Sequence, residues 1–367
     1  MLLPPPLSVC AIAAPASSWL EPCSDDAAVP GAHTLRSDQH FWDMHEDLQP
    51  LGKGFYGCVR LATVRSTGTL AAVKVVDKTN GRTSETDPRQ EPLLLQSLRH
   101  PNIVRLLVTY ESPCSLFIVM SAELGGDLLA RARSFPGGRF PEAEACRHTR
   151  GLLRAVEHIH ARGVVHRDIK PSNVLLSADG EVRLADFGLS QLLPPSGVLT
   201  TVCGTHDFLA PEMILCGHGE VDGYGIEVDM WAVGLLIFFL LHGRNPFELD
   251  TEIETLQAIL SAQYDIPQTD GVGSVANDLI CRLLVCDPTQ RCRASEAVRH
   301  DWITVSGSAL RRSLCAAADS HALSRARAVS DSNRSLCRLS CAMDHAVFIR
   351  GETRALSFDL LAALAAR

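Results

Sequence analysis

Two short polar strings, HRDIKPSN at 166–173 and DFG at 186–188, constrain this chain more than any other feature of its sequence. Asp168 stands where a carboxylate can accept the proton of an attacking hydroxyl, and Lys170 supplies a nearby positive charge. The residues that offer the hard oxygen ligands preferred by Mg²⁺ are Asn173 and Asp186. The strings therefore predict a site for phosphoryl transfer. Two acidic loops stabilised only by capping are the alternative.

A glycine-rich string, GKGFYGCV at 52–59, lies upstream between two apolar segments. Glycines at these spacings leave backbone N–H groups free to lie on a polyphosphate, and the residues concerned are Gly52, Gly54 and Gly57. A plain hairpin turn is the alternative for this string alone. The strand that follows, AAVK, ends on Lys74, at a distance from the loop that suits contact with phosphates. Capping alone does not explain this combination, which favours the phosphoryl-transfer interpretation.

The charge balance and the cysteine pattern exclude several other classes of protein. The chain of 367 residues carries 34 Lys+Arg against 42 Asp+Glu, a net charge of −8, which argues against a nucleic-acid binder. Thirteen scattered cysteines without a C-x-x-C pair predict neither a disulfide framework nor a zinc site. They favour a reducing compartment, the cytoplasm, with the nucleus as the alternative. The longest apolar run, Ala232 to Leu241, is about half of what a membrane span needs, so we expect no membrane span.

Hydrophobic periodicity divides the chain into a strand-rich part and a helical part. Residues 1–40 are rich in Pro, Ala and Ser and predict a disordered leader. The predicted strands are 55–62, 70–76, 103–107 and 116–120, with a helix at 93–98. The predicted later helices are 142–162, 228–242, 251–262, 275–285 and 294–300. This order predicts an α+β chain with two lobes.

These motifs follow one another in the order found in the eukaryotic protein kinase family, and the chain resembles that family over about residues 45–303. Further matching strings are APE at 210–212, DMWAVG at 229–234 and DPTQRCRASEAVRHDW at 287–302. The resemblance implies a β-rich small lobe at about 45–120 and a larger helical lobe at about 124–303, with ATP in the cleft. It also implies transfer to Ser or Thr of protein substrates, because Lys170 differs from the signature of tyrosine kinases.

The resemblance assigns roles to individual residues. The ATP site is implied to be lined by Leu51, Gly52, Gly54, Gly57, Val59, Ala72, Lys74, Glu91, Met120, Ser121 and Glu123. Within this set, Lys74 would pair with Glu91, Met120 would be the gatekeeper, and the backbone of Ser121 and Glu123 would meet adenine. Asp168 and Lys170 would be catalytic, and Asn173 and Asp186 would hold Mg²⁺. Pro92 directly follows Glu91, which predicts that the helix bearing Glu91 begins late or is kinked.

The helical half is similar to the calcium/calmodulin-dependent kinase group, and the stretch before DMW to the catalytic subunits of phosphorylase kinases. Those subunits carry an acidic residue where this chain has Thr201. Their constitutive activity therefore does not carry over to this chain. Arg167, next to Asp168, would be an unpaired cation facing Thr201, so we expect Thr201 to be a phosphorylation site, with a plain loop threonine as the alternative. Thr205 is expected to contact Asp168 and Lys170 and not to act as a switch.

The segment 306–343 beyond the kinase-like region carries six Arg and two Asp, a net charge of +4. Leu310, Leu314 and Ala317 have helical spacing, so the C-terminal tail (304–367) contains a candidate autoinhibitory helix and calmodulin target. The segment lacks aromatic anchors, and a passive tail is the alternative. For the whole chain, an active Ser/Thr kinase is the main hypothesis. A pseudokinase scaffold and a small-molecule phosphotransferase are its rivals.

Overall fold

The small lobe is built on a six-stranded sheet in the computed structural model, which describes residues 32–53, 57–79 and 87–304. Its strands are β1 (His33–Thr34), β2 (His45–Lys53), β3 (Gly57–Val64), β4 (Thr69–Asp77), β5 (Leu106–Glu111) and β6 (Ser115–Ser121). They lie in the order β1-β5-β6-β4-β3-β2. β1 is parallel to β5, and the other neighbours are antiparallel.

Strands β3 and β4 form because β-branched and small apolar residues dominate both segments, which suits a pleated and half-buried surface. Gly57 opens β3 so close to β4 that a Cβ there would lie 1.8 Å from the Val75 carbonyl oxygen. No other residue fits without moving the backbone. The predicted strand at 103–107 begins later than expected, because Ile103 and Val104 instead pair with Leu184 at the junction with the large lobe.

The predicted leader is wrong at its carboxyl end. Residues 33–34 form β1, and α1 (Asp38–Met44) follows with Ser37 as its N-cap. Phe41 is fully buried and stacks on Phe117 at 4.1 Å between ring centroids. Burial of a large aromatic side chain contributes about 1.5–3 kcal/mol, which fixes this segment on the outer face of the sheet. Residues 1–31 lie outside the described residues.

The large lobe is helical, so the predicted α+β fold with two lobes is confirmed. Its helices are α3 (Leu128–Arg133), α4 (Glu142–His160), α5 (Pro211–Gly217), α6 (Glu227–His242), α7 (Glu252–Ser261), α8 (Ser274–Leu283), α9 (Ala294–Ala297) and α10 (Asp301–Thr304). The run Ala232 to Leu241 lies in α6, whose side chains are almost all buried. Among the described residues, no helix is both long and apolar enough to cross a bilayer.

Two small sheets hold the loops of the two polar strings. Their strands are β7 (Val164–Val165), β8 (Val174–Leu176), β9 (Val182–Leu184) and β10 (Gln191–Leu192), paired as β10 with β7 and β8 with β9. Residues 166–173 follow β7 and precede β8, whereas Asp186 follows β9. The Ala185 N–H donates to the Asn173 carbonyl at 2.9 Å. The antiparallel pair of β8 and β9 therefore brings the two polar strings side by side. The remaining small-lobe helix, α2 (Gln90–Ser97), carries Glu91.

Candidate active site

The loop that carries Asp168 is anchored to the large lobe by the first turn of α6. Asp229, which is 1% exposed, accepts from the His166 N–H at 2.8 Å and from the Arg167 N–H at 2.9 Å. Burial raises the pKa of Asp229, but hydrogen bonds from His160 and His166 outweigh burial and lower it. Arg167 adopts a left-handed φ of 68°, a conformation that is strained for a residue with a side chain. The charged anchor helps to hold this strained turn.

Asp168 lies at the centre of a group that we call the base cluster, formed by Asp168, Lys170, Asn173 and Thr205. Asn173 Nδ2 donates to Asp168 Oδ2 at 2.8 Å and to the Asp168 carbonyl at 2.8 Å. Lys170 Nζ lies 3.0 Å from Asp168 Oδ2. One oxygen of the carboxylate is thus fixed by residues of its own loop.

Thr205, in the segment after the DFG string, meets the other oxygen of that carboxylate. Its hydroxyl donates to Asp168 Oδ1 at 2.7 Å and accepts from Lys170 Nζ at 2.6 Å. Its N–H also donates to Asp168 Oδ1 at 3.1 Å. The preceding Gly204 has a φ of 107°, and a Cβ there would lie 2.5 Å from the Arg167 carbonyl oxygen. This glycine lets the segment approach the loop closely.

A second group, which we call the ion cluster, consists of Lys74, Glu91 and Asp186. Lys74 Nζ donates to Glu91 Oε2 at 2.7 Å and to Asp186 Oδ1 at 2.6 Å. Burial alone would lower the pKa of Lys74, but the two carboxylates outweigh burial and raise it. Burial raises the pKa of Glu91 despite its pairing with Lys74, whereas Lys74 overcomes burial and lowers the pKa of Asp186. The lysine is held as a cation in a buried position.

Glycine at position 188 leaves room for the three charged groups of the ion cluster. A Cβ on Gly188 would lie 3.0 Å from Lys74 Nζ and 3.3 Å from both Asp186 Oδ1 and Glu91 Oε2. Asp186 itself has a left-handed φ of 59° at the start of the turn. The last letter of the DFG string thus reflects the space that the three charged groups need.

Pro92 does not disrupt the helix that carries Glu91. α2 begins at Gln90, so Pro92 lies in the first turn, where backbone N–H groups have no partner within the helix. A proline there removes no helical hydrogen bond. α2 therefore begins three residues before the helix predicted at 93–98, and Glu91 still reaches Lys74.

The residues assigned to the adenine end of the cleft lie on neighbouring strands. Ala72 on β4 is opposite Met120 on β6, and Val59 on β3 is opposite Lys74. The Ser121 N–H donates to the Arg105 carbonyl at 2.9 Å, so an adenine contact at Ser121 has to use its carbonyl group.

The remaining residues of this assignment border the cleft or fall outside the described part of the chain. Glu123 follows on the linker, where its Oε1 accepts from the Ser121 hydroxyl at 2.8 Å. Leu51 is 49% exposed, and a Cβ on Gly52 would meet nothing within 4 Å. Gly54 lies outside the described residues.

The chemistry of Asn173 and Asp186 fits a hard divalent cation. Asn173 uses Nδ2 for its hydrogen bonds to Asp168, and Asp186 uses Oδ1 for Lys74. In the described part of the chain, Asn173 Oδ1 and Asp186 Oδ2 take part in no hydrogen bond. These are the oxygen types that Mg²⁺ accepts as ligands.

The side chain of Arg167 contacts neutral groups of, and next to, the segment after the DFG string that carries Thr201 and Thr205, which we call the activation segment. Its Nε donates to the Leu189 carbonyl at 2.6 Å, and its Nη1 donates to the Tyr224 hydroxyl at 3.3 Å. That hydroxyl donates to the backbone carbonyl of Thr201, which is an exposed residue. Among the described residues, no carboxylate pairs with Arg167. Tyr224 was not among the residues predicted from the sequence, although the glycines on either side of it indicate a close approach of two backbones.

Comparisons with known proteins agree with this geometry. The family model described as a protein kinase domain matches residues 45–303. Myosin light chain kinase A of Dictyostelium discoideum is 35% identical over 266 residues, which cover 71% of this chain and 88% of that protein. The human phosphorylase b kinase gamma catalytic chain, liver/testis isoform, is 37% identical over 275 residues, which cover 72% of this chain and 67% of that protein. The chain therefore belongs to the protein kinase family, and it is a serine/threonine protein kinase.

Proposed function

We propose that Asp168 is the general base through which this chain transfers the γ-phosphoryl group of ATP to serine and threonine hydroxyls of proteins. The observation that carries this proposal is the position of the Thr205 hydroxyl, 2.7 Å from Asp168 Oδ1 and 2.6 Å from Lys170 Nζ. A hydroxyl at this distance can give its proton to the carboxylate. The Thr205 hydroxyl thus stands in for the acceptor hydroxyl that the reaction requires.

In the proposed reaction, the acceptor hydroxyl gives its proton to Asp168 while its oxygen bonds to the γ-phosphorus. The bond from that phosphorus to the bridging oxygen breaks, and the electron pair leaves with the nucleoside diphosphate. Lys170 offsets charge on the transferred group, and Asn173 keeps Asp168 Oδ2 in place. An acceptor has to displace the Thr205 hydroxyl or approach the carboxylate beside it.

The ion cluster is proposed to hold the phosphates. Lys74 is a buried cation with two carboxylate partners, and a phosphate oxygen can replace one of them as its partner. Asn173 Oδ1 and Asp186 would hold Mg²⁺. When bound, that ion supplies neutralisation of charge on the phosphate oxygens. The strand residues around Met120 would enclose the adenine ring of ATP.

A positional peptide library with radiolabelled ATP tests this proposal on the purified full chain. We expect label on Ser and Thr peptides, and about 10³-fold slower labelling with the Asp168→Asn variant. ATP binding without transfer would identify a pseudokinase instead. Transfer to small molecules but never to peptides would identify a small-molecule phosphotransferase.

Thr201 is proposed as a phosphorylation site. Its exposure permits modification, and Arg167 is a nearly buried guanidinium whose described partners are a carbonyl and a hydroxyl. A phosphate would give that cation an anionic partner. The alternative, a plain loop threonine, predicts an unmodified Thr201 in the active protein.

The basic segment 306–343 supports a further proposal, that the tail inhibits the kinase until calcium-loaded calmodulin removes it. The segment lies outside the described residues, so the support is its charge and spacing alone. Truncation after Thr304 is the appropriate test, because the buried Ile303 carbonyl accepts from Arg150 at 2.8 Å. Higher activity on truncation, together with calmodulin binding by the full chain, supports inhibition. Unchanged activity with no binding leaves a passive tail.

The proposed location is the cytoplasm, with the nucleus as the alternative. The support is the cysteine pattern, thirteen residues without regular spacing, which is typical of a reducing compartment. Fluorescence microscopy of the tagged full chain tests this location.

A further inference from the structure

Glu111, at the end of β5, joins two cations from different parts of the small lobe. It is 7% exposed, and its Oε1 accepts from Lys78 Nζ at 2.7 Å and from Arg89 Nη2 at 2.9 Å. Burial raises the pKa of Glu111, but the two cations outweigh burial and lower it. The carboxylate is therefore ionised and attracts both side chains.

Arg89 immediately precedes α2, the helix whose first turn carries Glu91. Its side chain makes no capping hydrogen bond to that helix and instead reaches Glu111 on the sheet. The Arg89–Glu111 pair thus ties the amino end of α2 to β5. The Lys74–Glu91 pair connects the same turn to β4. A shift of this turn would change the distance between Glu91 and Lys74.

The sheet is reinforced at Glu111 by the amino-terminal segment, which lies outside the family match at 45–303. Thr34 is the register partner of Glu111, and the Leu35 N–H donates to the Glu111 carbonyl at 2.7 Å. Asp38 accepts from the Ser115 hydroxyl at 2.8 Å and also from the Ser112 hydroxyl, on the turn that follows β5. The amino-terminal segment thus fixes the backbone of Glu111 at the edge of the sheet where β1 pairs with β5.

We propose that Glu111 is a positioning residue for catalysis: it holds Arg89 so that α2 presents Glu91 to Lys74, and residues 33–38 hold Glu111. The inference rests on the proposed function, in which Lys74 holds the phosphates of ATP. Glu111 Oε1 pairs with Arg89 and Lys78, and neither of these cations belongs to the base cluster or the ion cluster. It acts through Arg89 and the first turn of α2.

Lys78 provides a matched control. It pairs with the same carboxylate at 2.7 Å but follows β4 directly, and its own N–H donates to the Cys114 carbonyl at 2.8 Å. Loss of its side chain removes an ion pair of similar geometry, together with a hydrogen bond from Nζ to the Ser112 carbonyl at 3.0 Å, without releasing α2. The test variants are therefore Glu111→Gln and Arg89→Met, with Lys78→Met as the control and Asp38→Ala for the amino-terminal support.

The experiment measures kcat/KM for ATP, together with the affinities for ATP and for adenosine, in the full chain. We expect Glu111→Gln and Arg89→Met each to lower kcat/KM by about tenfold, with no further loss in the double variant. ATP affinity should fall while adenosine affinity stays unchanged, because adenosine has no phosphates for Lys74 to hold. Asp38→Ala should change the same quantities in the same direction, and Lys78→Met should change them by less than about twofold.

Other outcomes overturn the proposal. Equal losses in Lys78→Met and Arg89→Met would mean a general effect of charge at Glu111. Parallel losses of ATP and adenosine affinity would mean that the lobe itself is damaged. A Glu111→Gln variant equal to the active wild type refutes the positioning role but leaves the proposed function intact. A wild-type chain that transfers no phosphate refutes the proposed function itself, and the inference with it.

Discussion

The base cluster and the ion cluster are joined where the Ala185 N–H, beside Asp186, donates to the Asn173 carbonyl, but they are built in different ways. Three of the four base-cluster residues come from one loop, which Asp229 holds against the large-lobe core. The three ion-cluster residues come from β4, α2 and the turn after β9. The first cluster depends on local chain geometry, and the second depends on how separate elements dock. We therefore expect them to fail in different ways when they are mutated.

The largest effect is expected from Asp168→Asn. The substitution keeps the shape of the side chain but removes the proton acceptor, so kcat should fall by about 10³-fold. Quantitative peptide phosphorylation measures the effect. Asp179→Asn is the matched control, since Asp179 is exposed and bonds only locally to Ser177. Near-normal turnover of the Asp168 variant would remove this residue from the mechanism.

Lys74→Met should damage folding as well as catalysis, because it leaves the buried carboxylate of Glu91 without its partner. We expect the free energy of unfolding to fall by about 3–5 kcal/mol, measured by urea denaturation. Adding Glu91→Gln to this variant should restore part of the loss, since the unpaired charge is then gone. A Lys74→Met protein as stable as wild type would show that the ion cluster is not held by charge.

Asp229→Asn should weaken the anchor of the base cluster in a pH-dependent manner. The folded protein holds the pKa of Asp229 below the value of about 3.9 expected in the unfolded chain. Its stabilising contribution is therefore complete above that unfolded value and is lost as the pH falls through the folded pKa.

Urea denaturation measured at several pH values tests this anchor. At pH 7 we expect the variant to lose about 3 kcal/mol, and the difference from wild type should shrink below about pH 4. A difference that does not vary with pH would show that the charge of Asp229 is not what holds the loop.

The smallest effect is expected at Thr201. Tyr224 already connects Arg167 to the Thr201 backbone, so the segment has an anchor without a phosphate. We expect mass spectrometry to find Thr201 phosphorylated in the active wild-type protein. The Thr201→Ala variant should then have a rate only about threefold lower than that of wild type. Active protein with an unmodified Thr201, together with a full rate in the variant, would contradict the proposed modification.

The sequence predicted the parts of the site that depend on local spacing. Asp168, Asn173 and Asp186 belong to short strings whose residue types and separations suit one chemistry. The effect of Pro92 was left open between a late helix start and a kink, although a proline in the first turn of a helix removes no helical hydrogen bond. These inferences needed no knowledge of which distant elements pack together.

Contacts between distant elements could not be predicted in the same way. The Arg89–Glu111 pair joins residues that only strand order and helix docking bring together, and neither leaves a pattern in the sequence. The folding of residues 32–40 was missed because the prediction of disorder, which rests on the Pro- and Ala-rich composition of the leader, was extended as far as residue 40. Phe41 and Trp42, two adjacent aromatic residues, were the available signal that this segment packs on the sheet.

Calorimetric titration of ATP·Mg²⁺ into two variants, Asp168→Asn and Lys74→Met, tests the division between the clusters most directly. The account predicts that Asp168→Asn binds ATP with an affinity close to that of wild type although its kcat falls by about 10³-fold. Lys74→Met should bind ATP at least about tenfold more weakly, because the buried cation that holds the phosphates is gone. Equal ATP affinities in the two variants, whether retained or lost, would contradict the claim that separate clusters accept the proton and hold the phosphates.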